Sequence, residues 1–353
     1  MYIIGLMSGT SLDGLDLAKV EIKEDANGTL SCRLLAAETV AYSDEWVAQL
    51  SQLEKASALD YALANVRLGH YFGQCVNQFI ERHPGKVDLI ASHGHTIFHQ
   101  PELGLTTQIA DGDAIAAETK LPVCSNFRTF DVALGGQGAP LVPIGDSLLF
   151  GQFEACLNLG GIANISYQDV ASRQRVAYDI CPCNMVLNTL ALRLGKPYDR
   201  DGELAASGEV ITALLERMNG LEYYRTDGPK SLGKEWVTEH FLPLVEEGEV
   251  VDLLRTTVEH EAHQIARILN EQTIRSLLVT GGGALNRFLI DRLKAMAPEC
   301  AITVPEKAMV DYKEAIVFAL LGYLRVKHKI NTLASVTGAS CDSIGGVLSG
   351  CLE

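Results

Sequence analysis

Three glycine turns stand at the ends of apolar runs: Ser8–Asp16 (SGTSLDGLD), Gly160–Asn164 (GGIAN) and Gly281–Asn286 (GGGALN). Glycine allows positive φ and lets backbone N–H groups approach a ligand with no Cβ in the way. Successive N–H groups in such turns make anion-binding nests, and hydroxyls such as those of Thr10 and Ser11 add donors. The third turn opens a run that reads as a helix, whose N-terminus favours phosphate. Any one of these turns is equally a tight connection. Three at matching places point to a phosphate-containing ligand. None has the spacing of a P-loop, nor of G-x-G-x-x-G after the first strand. Asp13 and Asp16 flank Gly14, as carboxylates would if Mg²⁺ bridged them to phosphates, or as ordinary Asx-turn residues.

Asp179 closes the apolar run RVAYD just before Cys181-Pro182-Cys183-Asn184. In open α/β sheets, ligands gather beyond the carboxyl ends of the strands, which makes Asp179 a catalytic candidate. It is equally placed to serve the N-terminus of the helix that follows. His93, His95 and His99 follow the run VDLIA, but no partner cluster at zinc spacing accompanies them, so they read as polar pocket lining. The pair Cys181-x-Cys183 has neither redox nor zinc-site spacing. Arg128 lies in the glycine-rich stretch FRTFDVALGGQG; its planar fork suits a carboxylate or phosphate, or an internal pair with Asp131. Lys230 and Lys234 either counter phosphate charge or are simply solvated.

Strands must end at those turns and helices must cover them. Tyr2–Met7, Leu15–Ile22 and Cys32–Tyr42 read as strands, and Ser43–Ala58 and Asp60–His83 as helices. The second helix shows Leu63, Val66, Val76, Phe79 and Ile80 at roughly helical spacing. Val87–Ala91 has the look of a buried parallel strand. A similar series returns about 150 residues later: Cys156–Leu159, GGIAN, Ile165–Tyr167 and Arg175–Asp179, then helices at Asn184–Leu194 and Val250–Asn270. The strand Ser276–Thr280 and the helix Arg287–Ala297 complete it. Two α/β domains follow, with a boundary near Ala139–Ile144 where two prolines interrupt the chain.

The length of 353 residues agrees with two domains. Hydrophobic residues are 47 % and charged residues 21 %, as in a soluble globular protein. With 29 Lys+Arg against 44 Asp+Glu, the net charge of −15 argues against a nucleic-acid or anionic-membrane binder. No apolar run is long enough to span a bilayer, and the N-terminus lacks a signal peptide's basic region. Nine cysteines, an odd number, read as cytosolic thiols, and the expected location is cytoplasmic.

In order along the chain stand GLMSGTSLDGLDLA (Gly5–Ala18), ASHGHTIFHQP (Ala91–Pro101), QIADGDAIA (Gln108–Ala116) and NFRTFDVALGGQGAPLVP (Asn126–Pro143). NLGGIANIS (Asn158–Ser166), DGPKSLGKEW (Asp227–Trp236), VTGGGALN (Val279–Asn286) and SVTGAS (Ser335–Ser340) follow. Together they resemble the 1,6-anhydro-N-acetylmuramic acid kinase family of the sugar kinase, heat-shock chaperone and actin superfamily. The resemblance implies an α/β fold: two ribonuclease-H-like domains of actin-like ATPase type flanking a nucleotide cleft. Residues 1–142, joined by 331–353, would form the first, and 143–330 the second.

The resemblance also implies ATP and Mg²⁺. Gly9, Thr10, Ser11, Leu12, Asp13, Gly14, Leu15 and Asp16 would lie at the ATP phosphates, with Gly160 and Gly161 as further nucleotide contacts. Gly281, Gly282 and Gly283 would lie on the adenosine side. The implied reaction opens the anhydro bridge of 1,6-anhydro-N-acetylmuramic acid with water and phosphorylates O6, with Asp179 as general base. Arg128, Glu314 and His93 would contact the sugar; metal ligands are not assigned. A homodimer is the family-level expectation. The alternatives are a kinase of another amino sugar and a nucleotide-switched actin-like or chaperone-like interaction protein. One departure stands out. The family usually reads D-T-G-P-G-N where Asp179–Asn184 reads D-I-C-P-C-N, with cysteines in place of two glycines.

Overall fold

The computed structural model describes residues 1–9, 12–226 and 230–350, so Thr10, Ser11 and the start of the DGPKSLGKEW segment lie outside the described residues. The chain divides into two compact units, Met1–Leu149 with Tyr312–Glu353, and Phe150–Asp311.

In the first unit β1 (Tyr2–Ser8), β2 (Gly14–Glu24) and β3 (Leu30–Ala41) form an antiparallel meander. β4 (Leu89–Gln100) runs parallel to β1, β5 (Leu105–Ile109) folds back on β4, and β6 (Val123–Ser125) is parallel to β4. The second unit repeats the plan. β7 (Ala155–Leu159), β8 (Ile162–Gln168) and β9 (Arg175–Pro182) are the meander; β10 (Ser276–Thr280) is parallel to β7 and β11 (Ala301–Thr303) to β10. β12 (Val347–Ser349) returns to the first unit and pairs with β6. The order β3-β2-β1-β4-β6 in one sheet is thus the order β9-β8-β7-β10-β11 in the other. Each unit is ribonuclease-H-like, the duplicated α/β plan expected from the strand pattern.

Ser57 caps the Ala58–Arg82 helix by accepting the Asp60 N–H at 3.1 Å. Its buried stripe is Ala64, Leu68, Phe72, Val76 and Phe79, at helical spacing and packed on the sheet. Leu63 and Val66, which periodicity alone places on that stripe, are exposed. The helix expected at Ser43–Ala58 is shorter, Asp44–Gln52 followed by a 3-10 turn.

Both crossings between units differ from the expected 142/143 and 330/331. The helices Val142–Leu149 and Lys307–Val326 explain the shift. Lys313 and Asp146 form an ion pair at 2.7 Å with both side chains almost wholly buried, tying the two helices together. The second helix also lies directly on β1: a Cβ at Gly5 would stand 1.8 Å from the Ala315 carbonyl oxygen. Residues 312–326 therefore belong to the core of the first unit. Gly5→Ala is expected to destabilise the protein by about 3 kcal/mol or more, since backbone on both sides leaves nothing to yield. Denaturant unfolding of that variant checks this; an unchanged midpoint would contradict the packing.

Candidate active site

β7, β9 and β10 run in one direction, so their carboxyl ends share one edge of the second sheet. Three of the motifs picked out from the sequence meet there. The Cys183 N–H donates to the Gly161 carbonyl at 2.9 Å and the Asn184 N–H to Gly160 at 3.1 Å. Asn184 Nδ2 donates to the Leu159 carbonyl at 3.0 Å. Gly281 has φ +80°, and a Cβ there would stand 2.6 Å from Asn158 Oδ1. Here glycine is required on both counts. Gly160 and Gly161 have no positive φ, and their carbonyls, not a nest of N–H groups, hold the neighbouring loop. The third turn is a 3-10 turn (Gly282–Leu285), and the Arg287–Met296 helix that follows is capped by the Asn286 side chain. Gly282 is exposed, and a Cβ there would come no closer than 3.7 Å to its nearest neighbour, Asn184 Nδ2.

Asp179 does not cap the Asn184–Leu192 helix, whose N-cap is Cys183. It is held by a different segment. The Asp179 N–H donates to the Lys230 carbonyl at 3.0 Å, and Leu232 N–H donates to Asp179 Oδ2 at 2.8 Å. Tyr223 Oη donates to the Asp179 carbonyl at 2.6 Å. Among the described residues nothing bonds to Oδ1. β9 carries one extra residue against β8 next to Asp179, a bulge of the kind that re-aims side chains. Burial raises the Asp179 pKa, and the Leu232 N–H pulls it part of the way back. Lys230 lies over the Tyr223 ring and donates to the Tyr223 and Thr226 carbonyls, both at 2.6 Å, so it ties this segment down.

The helix Val250–Glu271 packs behind this loop and is buried on nearly every side. Its polar face was not legible as a site. His260 Nδ1 lies 2.7 Å from Asn219 Oδ1, an acceptor, so Nδ1 carries the proton and Nε2 accepts from Tyr224 Oη at 2.9 Å. Burial holds His260 neutral, its pKa down to about 3. The polar residues Thr256, Thr257, Glu259, His260, Glu261 and Gln264 are all buried, yet in a helix that also carries Asp252, Arg255 and Arg267 they read as ordinary polar positions.

In the first unit, Arg128, His93 and Glu314 come together. Arg128 donates from Nε to His93 Nε2 at 3.0 Å and from Nη1 to the Gly138 carbonyl at 2.7 Å. His93 therefore keeps its proton on Nδ1, against the Gly94 carbonyl at 3.0 Å. Its ring rests on Phe318 at 4.6 Å. Burial and the Arg128 charge push its pKa well down. Asp131 is not the partner of Arg128; it takes the Gly138 N–H and the Thr337 hydroxyl, both at 2.7 Å. Burial lowers the Arg128 pKa to about 10, with Glu314 the leading opposing charge. Crowding by protein raises the Glu314 pKa while Arg128 lowers it, yet the side chain still reaches solvent. That exposure makes Glu314 an accessible carboxylate beside the guanidinium.

At the first turn Leu12 has φ +61° and its N–H points to the Gly9 carbonyl at 3.4 Å. A Cβ at Gly14 would stand 2.5 Å from the Val40 carbonyl, so strand pairing fixes that glycine. Leu15 is core, and Asp16 Oδ1 accepts from Thr39 Oγ1 at 2.5 Å. Beneath the turn, Ser8 Oγ meets Tyr42 Oη at 2.6 Å and His95 Nδ1 at 2.8 Å. Asp13 is exposed. Among the described residues no three His, Cys, Asp or Glu side chains gather as metal ligands.

The family model for anhydro-N-acetylmuramic acid kinase matches residues 1–350. The chain belongs to the anhydro-N-acetylmuramic acid kinase family. It is 36 % identical to the anhydro-N-acetylmuramic acid kinase of Sulfurovum sp. (strain NBC37-1) over 361 residues, 98 % of each chain. Identity to that of Picosynechococcus sp. (strain ATCC 27264 / PCC 7002 / PR-6) is also 36 %, over 378 residues and 98 % of each chain. To that of Pasteurella multocida (strain Pm70) it is 35 %, over 98 % of this chain and 96 % of that one. The chain is thus a kinase and a phosphotransferase, as the motifs implied, and neither a kinase of another amino sugar nor an interaction protein is favoured. No helix among the described residues is long and apolar enough to cross a membrane.

The geometry of this kinase predicts three histidines that stay neutral. Burial lowers the pKa of His95 to about 4 and of His260 to about 3, and that of His93 well below the ordinary value. Their ring nitrogens should show no titration in NMR between pH 8 and about 5. A midpoint near 6.5 for His260 would mean that the Asn219–His260–Tyr224 chain is open.

Proposed function

We propose that the chain uses ATP and Mg²⁺ to convert 1,6-anhydro-N-acetylmuramic acid to N-acetylmuramic acid 6-phosphate and ADP, with Asp179 as general base. The observation that carries this is the anchoring of Asp179: backbone and Oδ2 are held, and among the described residues nothing bonds to Oδ1, the oxygen that takes the proton. A water attacks C1 and gives its proton to Oδ1. The C1–O6 bond breaks, and O6 takes the γ-phosphoryl group in line while ADP leaves. A carboxylate whose pKa is raised by burial is a stronger base than a free one. Such a base contributes ~10²–10⁴-fold, about 3–5 kcal/mol of the barrier. Alignment of sugar and phosphate supplies the rest.

In the second unit, the turn at Gly281–Gly283 fits a nucleotide because Gly282 leaves its backbone open and Gly281 cannot carry a side chain. In the first, Gly9–Asp16 with Asp13 and Asp16 fits the phosphate end. Mg²⁺ binds through one or two carboxylates plus substrate phosphates and retained waters, and the exposed Asp13 beside the turn would serve as one such donor. When bound it neutralises charge on the transferred phosphoryl group. Arg128 is pre-oriented by His93 and Gly138 to hold the lactyl carboxylate of the sugar, with Glu314 beside it for a hydroxyl or amide. The eight described cysteines are free thiols, which supports a cytoplasmic location.

Two outcomes are expected. In H₂¹⁸O, quenched early, one ¹⁸O should appear on C1 of the product and none in its phosphate. Label in phosphate, or none at all, would contradict the reaction. Arg128→Lys keeps the charge but not the two-point hold, so KM for the sugar should rise roughly tenfold, about 1.4 kcal/mol, in steady-state assays. An unchanged KM would remove Arg128 from the sugar site.

A further inference from the structure

At Cys181 and Cys183 the loop carries side chains where the family usually has glycine, and neither cysteine takes a positive φ; Cys183 has φ −136°. Both side chains turn into the core of the second unit and are fully buried. There the Cys183 thiol donates to Glu261 Oε2 at 3.5 Å. Glu261 is 0 % exposed, and its second oxygen, Oε1, has no partner among the described residues. Burial pushes its carboxyl up to about 8, so the group is neutral at pH 7. A buried polar group with an unmet hydrogen bond lowers stability, and an apolar side chain of similar volume at such a site is commonly neutral or better. Stability therefore does not explain Glu261. What it touches is the catalytic loop. Cys183 is the residue whose N–H bonds to Gly161, and it precedes Asn184, which bonds to Leu159. Four residues upstream stands Asp179.

We propose that Glu261 is a positioning residue that grips the Asp179–Asn184 loop from its buried side, through Cys183, and so sets the aim of the Asp179 carboxylate. This rests on Asp179 being the base. The loop has lost the close packing that glycines allow and must house a thiol instead. The Glu261 carboxyl gives that thiol one acceptor in one direction, which fixes where the loop can lie. A carboxylate displaced by a fraction of an ångström still binds its ligands but transfers protons poorly.

Four variants of the full chain decide the matter, each measured for kcat, both KM values and Tm. Glu261→Leu should keep or raise Tm, leave both KM values within about twofold and lower kcat by roughly tenfold or more. Glu261→Gln retains an acceptor for the thiol and should keep kcat within about threefold. Cys183→Ala should lower kcat as Glu261→Leu does, and the double variant should be no worse than Glu261→Leu alone. Wild-type kcat in Glu261→Leu or in Cys183→Ala overturns the proposal. So does a joint loss of Tm and kcat that Gln fails to restore, the mark of a purely structural residue. If Glu261→Leu does not fold, the Gln and Cys183→Ala variants decide. Asp179→Asn runs in parallel: inactive, it leaves the base reading standing whatever the Glu261 result; active, it removes that reading first.

Discussion

A carboxylate that must be ionised to work stands where burial favours its proton, and much of the second unit is arranged around this conflict. Asp179 is raised in pKa by desolvation and restrained by a single backbone N–H from Leu232. The sign has a consequence for stability. A carboxyl whose folded pKa exceeds its unfolded one costs the fold stability wherever it is ionised, and the cost is relieved as pH falls through the raised value. Fixed partners hold the residue in place against that cost: the Lys230 carbonyl, the Tyr223 hydroxyl and the Leu232 N–H all bind Asp179. A base held this way is pre-aimed, which is worth more to catalysis than a relaxed one.

The first unit solves a related problem for a cation. Arg128 is half-buried, and its charge is tolerated because two of its donors meet a neutral histidine ring and a carbonyl. Both hydrogen-bond partners are acceptors without charge, and the opposing charge comes from Glu314 first and then Asp131. A buried carboxylate in the place of His93 would have neutralised it. Burial against Phe318 keeps His93 neutral and so suited to the task.

Much of this was legible in the residues. The repeat of strand, glycine turn and strand announced two similar sheets, and the observed orders agree over the five strands of the second, the first adding β5 and β12. Asp179 is legible because it closes an apolar run, although β9 continues past it to Pro182; its partners are not, since Leu232 lies far along the chain and only the fold brings it close. The glycine turns were found as a class, but their reasons differ. Gly281 needs positive φ, Gly14 is set by strand pairing, and Gly160 and Gly161 serve through carbonyls. Local sequence shows glycine but not which contact demands it. The unit boundaries moved because the Lys307–Val326 helix lies on β1, where Ala315 meets Gly5, and the Lys313–Asp146 pair ties Val142–Leu149 to that helix; these long-range contacts have no local signal. Glu261 was invisible for the same reason: a glutamate between two histidines on a helix reads as surface, and only packing shows otherwise.

The cysteines in D-I-C-P-C-N have a physical explanation. That loop does not use positive φ, so cysteine is admissible, and the added atoms are absorbed by the core. The acid, proline and asparagine keep their places around the strand end. The account stands or falls on Asp179 as the proton acceptor. Asp179→Asn should bind ATP and the anhydro sugar with near-native affinity by calorimetry, while single-turnover product formation falls by ~10²–10⁴-fold. Product formed at the wild-type rate by that variant, with both substrates bound, would contradict it.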